Sequence, residues 1–196
     1  MLPGLLLLNG CARYRAKTLK RLPTGIATHT NEETIEFAYH VFNAGDCKRY
    51  LDRDVIAAGY QPVHITFVNN TTHPVKFSPD QFSFPCAAVA EVAEEVHTNT
   101  VGRAVGYGLA STVIWPLWIP AVIDGIGSVK ANKRLDADFS RKGLKEQLVA
   151  PLSTINGLVF VPTESFNDNF TFAVKDATNL HEYVFSTHNS AMHLTC

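Results

Sequence analysis

The sequence predicts a mainly β protein, an immunoglobulin-like β-sandwich interrupted by a helical hairpin insertion. Three observations predict it. Runs rich in Val, Thr and Phe alternate apolar with other residues before position 86 and again after 143, the two-residue period of half-buried strands. Clusters of Asn, Asp, Gly and Pro punctuate those runs, as in a sandwich of about seven short strands. Between them the chain switches to helix formers and glycine, and the 20 residues between Arg103 and Asp124 carry no charge. An α+β domain is the alternative.

The elements follow in order. Residues 1–11 read as an export segment: a short leucine-rich run ends in small residues before Cys11. Residues 12–24 read as a tether ending near Pro23, and 25–186 as the sandwich domain, with the helical insertion at 86–143. Within that domain 25–30 is a candidate short strand. The segment 33–42 alternates with Ile35, Phe37, Tyr39 and Val41 on one face. A turn at 43–46 leads into short helical turns at 47–58, with Leu51, Val55 and Ile56 inward. The segment 61–69 is the clearest strand, with Val63, Ile65 and Phe67 on one side, and 69–74 is a turn cluster. Strands return at 75–78 and 81–84, and 87–95 turns to helix formers. A helix begins after Pro120, a favoured first position, and runs through Lys142 to a stop at Gly143. Strand candidates resume at 144–150, 157–161, 170–174 and 183–186, and 187–196 is a loose tail.

Leu8-Asn9-Gly10-Cys11 resembles the bacterial lipobox, in which the cysteine is acylated and becomes the mature N-terminus. The match departs from the pattern in having no Lys or Arg before the apolar run. The resemblance implies a covalent lipid on Cys11 and no other cofactor. With Ala12 rather than Asp next, it implies sorting to a Gram-negative outer membrane, facing the periplasm. Arg13, Arg15, Lys17, Lys20 and Arg21 follow directly, either as a solvated tether or as a strip touching anionic head groups.

Residues 101–128 carry the second signal. Two prolines, Pro116 and Pro120, break the uncharged run around Trp115 and Trp118, so two apolar arms meet at a Trp/Pro tip. Gly102, Gly106 and Ala110 recur at four-residue spacing on the first arm, and Ala121 and Gly125 on the second. Small residues at that spacing let helix backbones approach closely, as in a glycine zipper. One reading is a hairpin that inserts in a bilayer or packs against a protein partner or other copies of the chain. The other is a helical pair buried over the protein's own core. The tryptophans suit a head-group interface or a partner's pocket equally.

A wider resemblance rests on residues 47–69, a short helix and a Gly-x-x-Pro-Val turn feeding a strand that ends in Asn69. The glycine-rich segment, the Lys-Ala-Asn-Lys-Arg-Leu-Asp-Ala-Asp-Phe run at 130–139 and the Gly-Leu-Val-Phe-Val strand at 157–161 complete it. Together they resemble uncharacterised bacterial lipoproteins over about residues 35–175. Some of those resemble accessory parts of secretion-machine outer-membrane cores, including type IVB systems. The resemblance implies an envelope component and specifies no chemistry.

Other classes find less support. A net charge of −1 provides no overall basic field for nucleic acid, and 46% apolar residues is ordinary for a globular chain. Eight histidines occur without HxxxH or HExxH spacing, and there is no Gly-x-Ser-x-Gly elbow or CxxC pair. His40 and His64 fall on outward strand faces, where solvation is expected. Cys47 and Cys86 are candidates for a disulfide in an oxidising compartment, with two free buried thiols as the alternative. The expectation is a non-enzymatic, lipid-anchored envelope protein that binds membrane lipid and protein partners, or else a periplasmic carrier of a small apolar ligand.

Overall fold

The computed structural model describes residues 14–22, 35–97, 118–178 and 181–187; for residues 118–128 only the backbone path is described. Seven strands form two antiparallel sheets. They are β1 (Ile35–Val41), β2 (Tyr60–Asn69), β3 (Val75–Phe77), β4 (Gln147–Val149), β5 (Ser153–Pro162), β6 (Thr171–Asp176) and β7 (Glu182–Ser186). Among the described residues three α-helices interrupt them: α1 (Ala44–Tyr50), α2 (Val89–Glu95) and α3 (Trp118–Lys142). The chain is therefore mainly β, a sandwich with a helical insertion. The expected strand at 25–30 and the tail after 187 lie outside the described residues.

One sheet has the order β1-β2-β5 and the other β4-β3-β6-β7. In an immunoglobulin constant-type sandwich the fourth strand closes the sheet of the first, second and fifth. Here β4 pairs with β3 instead, Lys76 opposite Leu148. The helical insertion thus occupies the connection between two neighbouring strands of one sheet.

The core between the sheets follows from the alternation. Ile35 and Phe37 of β1 and Val63, Ile65 and Phe67 of β2 point inward. They meet Phe77, Phe172, Val174 and Phe185 from the opposite sheet. The Phe37 and Phe172 rings stack 5.2 Å apart, and Phe82 stacks on Phe172 at 4.3 Å. Each such ring contributes about 1.5–3 kcal/mol by burial. The expected strand at 81–84 is not one. Ser78 and Gln81 form a capping box that turns Pro79–Gln81 into a 3₁₀ turn. Phe82 and Phe84, stacked at 5.1 Å, still reach the core.

The outer face of β1-β2-β5 is a second buried layer. Along β2 every residue from Pro62 to Asn69 is buried, on both faces of the strand, including His64 and Thr66. Phe42 lies edge-on to His64, and Phe139, near the end of α3, stacks on Phe160 at 5.6 Å. Cys47, Leu51 and Val55, in and after α1, are fully buried. Helix α1 begins three residues earlier than expected because Asn43 caps it. Its side chain accepts from the Asp46 N–H while Asp46 accepts from the Asn43 N–H. Gly59, at φ +93°, makes the turn into β2 that a side chain would strain.

Strand β5 is an edge, and the insertion covers it. Ala87 N–H donates to the Phe160 carbonyl at 2.8 Å, and Leu144 N–H donates to the Leu158 carbonyl at 2.8 Å. These acceptors are two residues apart, about 7 Å along the strand. The insertion therefore leaves and re-enters the body at adjacent points. Val89 packs against Gly143 at the same place.

By contacts the chain divides into two units, Met1–Arg15 with His97–Asp138, and Ala16–Val96 with Phe139–Cys196. The second is the sandwich described above. In the first, Ala131, Leu135 and Asp138 form a buried stripe at helical spacing. Tyr14 donates its hydroxyl to Asp138 at 2.6 Å. The helix ends at Lys142 as expected, with Gly143 N–H donating to Phe139 O at 2.7 Å.

Candidate functional site

Cys11 and, in the expected hairpin, Gly102, Gly106, Ala110, Trp115 and Pro116 lie outside the described residues. Trp118, Pro120 and Gly125 lie on the backbone of α3, which starts at Trp118, two residues before the proline. Among the described residues no helix is long and apolar enough to cross a membrane.

Cys47 and Cys86 are not joined; both are free thiols. The expected disulfide is corrected by their placement. Cys86 packs against the core between the sheets, whereas Cys47 is buried in α1 and is not part of that cluster. Burial, reinforced by Asp54, pushes the Cys47 thiol up to about 11. Burial, with a lesser contribution from Asp80, pushes Cys86 up to about 12. Neither is a thiolate near neutrality, so neither is poised as a nucleophile.

The histidines separate by environment. His40 is exposed and pairs with Asp46 at 3.0 Å, a carboxylate already committed to capping α1. His97 pairs with Asp136 at the surface. His64 departs from expectation: it is 4% exposed. Burial lowers its pKa from the usual 6.5, only partly offset by its contact with Asn156. Its Nε2 lies 2.9 Å from Asn156 Oδ1, which also accepts from the Thr66 hydroxyl at 2.8 Å. Thr66 Oγ1 in turn accepts from the Leu22 N–H at 3.0 Å. This chain of polar groups has one further consequence. The segment after residue 15, read as a free tether, is bound to the sandwich at Leu22. It is bound again where Lys17 N–H donates to Arg49 O at 3.0 Å. The side chains of Ala16, Leu19 and Leu22 are partly buried, while Lys17, Lys20 and Arg21 are exposed.

Beside Asn156 runs an open groove of about 440 Å³, lined by residues 141–147 with Ile155 and Asn156. Its lining is mostly polar or charged, including Arg141, Lys145, Glu146 and Gln147. Lys142 donates to the Tyr50 carbonyl, Lys145 to Ser140 Oγ, and Glu146 pairs with Lys76. Among the described residues no three His, Cys, Asp or Glu side chains are grouped to hold a metal ion.

Sequence reasoning missed His64, Thr66 and Asn156 as one network. Register could have linked them, because His64 lies opposite Leu158 and Thr66 opposite Asn156 on adjacent strands. Comparison with known proteins finds no family model, curated protein or solved structure that matches the chain.

Proposed function

We propose that this chain is a non-enzymatic envelope protein of the Gram-negative outer membrane, held by a lipid on Cys11 and facing the periplasm. Its glycine-rich apolar segment, residues 101–128, binds membrane or assembles with protein partners or further copies of the chain, in an envelope or secretion assembly. The observation that carries the reading is the pairing of a lipobox-like Leu8-Asn9-Gly10-Cys11 with an uncharged run of 20 residues. The fold adds an argument. The sandwich fills its inner core with its own phenylalanines and covers the outer face of β1-β2-β5 with described residues. It does not require 28 more apolar-rich residues to complete either layer. The carrier alternative places its pocket between the apolar arms, and a lipid co-purifying in stoichiometric amount would support it instead.

Two experiments test the two parts. Cells expressing the chain are fed labelled palmitate; label should enter the protein and vanish with Cys11→Ser. Absence of label from the intact chain sinks the anchor. Separately, residues 12–196 are exported behind an ordinary cleavable signal and membranes are washed with alkaline carbonate. Retention is the result expected of an inserting segment. Release together with unchanged complex size in Gly106→Leu would refute a membrane or assembly role for 101–128.

A further inference from the structure

The segment Ala16–Leu22 is not a passive spacer, because its backbone is fastened to the sandwich and its charges are turned outward. Lys17 is hydrogen-bonded through its main chain to Arg49, at the end of α1. Lys17, Lys20, Arg21 and Arg49 are all exposed. Among the described residues none of the four pairs with an acid; Arg49 lies 5.5 Å over the Tyr50 ring. Lys48, also exposed, is bonded to Asp52 at 3.3 Å. Three exposed cations thus lie within five residues of one fastened segment, with Arg49 at the point where Lys17 is bonded, on a chain whose net charge is −1. A fixed cluster of this kind is costly in self-repulsion and attracts an anionic surface.

We propose that this face, Lys17, Lys20, Arg21 and Arg49, rests on anionic phospholipid head groups and sets the orientation of the sandwich on the membrane. The inference rests on lipidation at Cys11 for its biological setting. Five residues separate Cys11 from Lys17, a reach of at most about 20 Å. The lipid there keeps the cationic face within reach of the bilayer surface, and basic residues near an anionic surface add their own attraction to it. Fixing the strip to β2 and α1 means that the cations arrive already ordered, with less entropy to lose than on a free tether.

The test uses the full chain carrying Cys11→Ser, so that no acyl chain contributes. It is sedimented with neutral phosphatidylcholine vesicles and with vesicles containing about one-third phosphatidylglycerol. Each basic residue near an anionic surface contributes roughly fivefold to partitioning. Lys17→Gln, Lys20→Gln and Arg21→Gln together should weaken binding to the anionic vesicles roughly 100-fold and leave neutral-vesicle binding unchanged. All three substitutions spare the main-chain bonds to Arg49 and Thr66, and circular dichroism checks the fold. The anionic preference should also fall as salt rises. A control removing Lys76, Lys133 and Lys175 in the same way should have much less effect. Equal loss in the control, or no preference for anionic vesicles in the parent, overturns the proposal. Either result leaves lipidation at Cys11 standing, because that is read separately by palmitate labelling.

Discussion

Asn69 is the residue whose loss the structure prices most directly. It is fully buried at the end of β2. Its amide nitrogen donates to the carbonyls of His73, Val149 and Ala150 at 2.8, 3.0 and 3.1 Å. Its oxygen accepts from Thr71 N–H at 3.0 Å and from the Thr71 hydroxyl at 2.7 Å. One side chain therefore ties the β2–β3 turn to the β4–β5 turn, across the two sheets. In Asn69→Ala, the His73 and Ala150 carbonyls can turn to water. The Thr71 N–H and the Val149 carbonyl, in residues 8% and 1% exposed, cannot. Two buried orphans at about 2 kcal/mol each give a loss of about 4 kcal/mol. For a chain of this size that lowers the melting temperature by roughly 8–16 °C. The near-isosteric Asn69→Asp should be no better than alanine, because it aims a carboxylate oxygen at three carbonyls. Asn70→Ala, which removes only an exposed bond to Glu36, should change stability by less than about 0.5 kcal/mol. Urea and thermal unfolding of the purified full chain measure all three. A cost below about 1 kcal/mol for Asn69→Ala, or an Asp variant as stable as the parent, would refute the reasoning.

Gly157→Ala should destabilise by about 1–3 kcal/mol, since its Cβ would sit 2.5 Å from the Lys142 carbonyl oxygen and 2.8 Å from Leu144 Cγ; an unchanged urea midpoint would show that the end of α3 can shift away. His64 has a folded pKa below its usual 6.5, so the folded state binds fewer protons than the unfolded state. Its contribution is present above that value and is lost as pH falls through it toward the lower folded pKa. His64→Gln should flatten the fall in unfolding free energy as pH drops through 6.5, and equal slopes in both proteins would contradict this. Cys47 and Cys86, held at about 11 and about 12, should resist iodoacetamide at neutral pH and react after denaturation. Digestion without reductant should yield no peptide joining them; such a peptide would restore the disulfide.

The inward faces were legible because β1 and β2 alternate strictly between marked turns. Ile35, Phe37, Val63, Ile65 and Phe67 all lie where the two-residue period puts them. The end of α3 was legible for a similarly local reason, a glycine after a charged last turn. The opposite face of β2 was not. His64 and Thr66 occupy positions that read as solvated, and they are buried by residues distant in sequence: Phe42, Asn156 and the Leu22 segment. No local pattern announces that a second layer will cover a sheet. The start of α1 was available but misread, since Asn43 and Asp46 suit a turn as well as the capping box they form. An oxidising compartment suggested a bridge, but pairing depends on which layer each cysteine enters, and Cys47 and Cys86 enter different ones.

The same second layer explains how the sandwich tolerates so apolar an insertion. An exposed edge strand invites pairing with other chains, and β5 is such an edge. Its Leu158 and Phe160 carbonyls are taken by Leu144 and Ala87, the residues at which the insertion joins the body. Phe139 covers Phe160 from above, and Val89 closes on Gly143, where any added side chain would collide. The joint is thus built from the two roots of the insertion, α2 and the last turns of α3. A joint made this way constrains the composition of the roots, which must match β5.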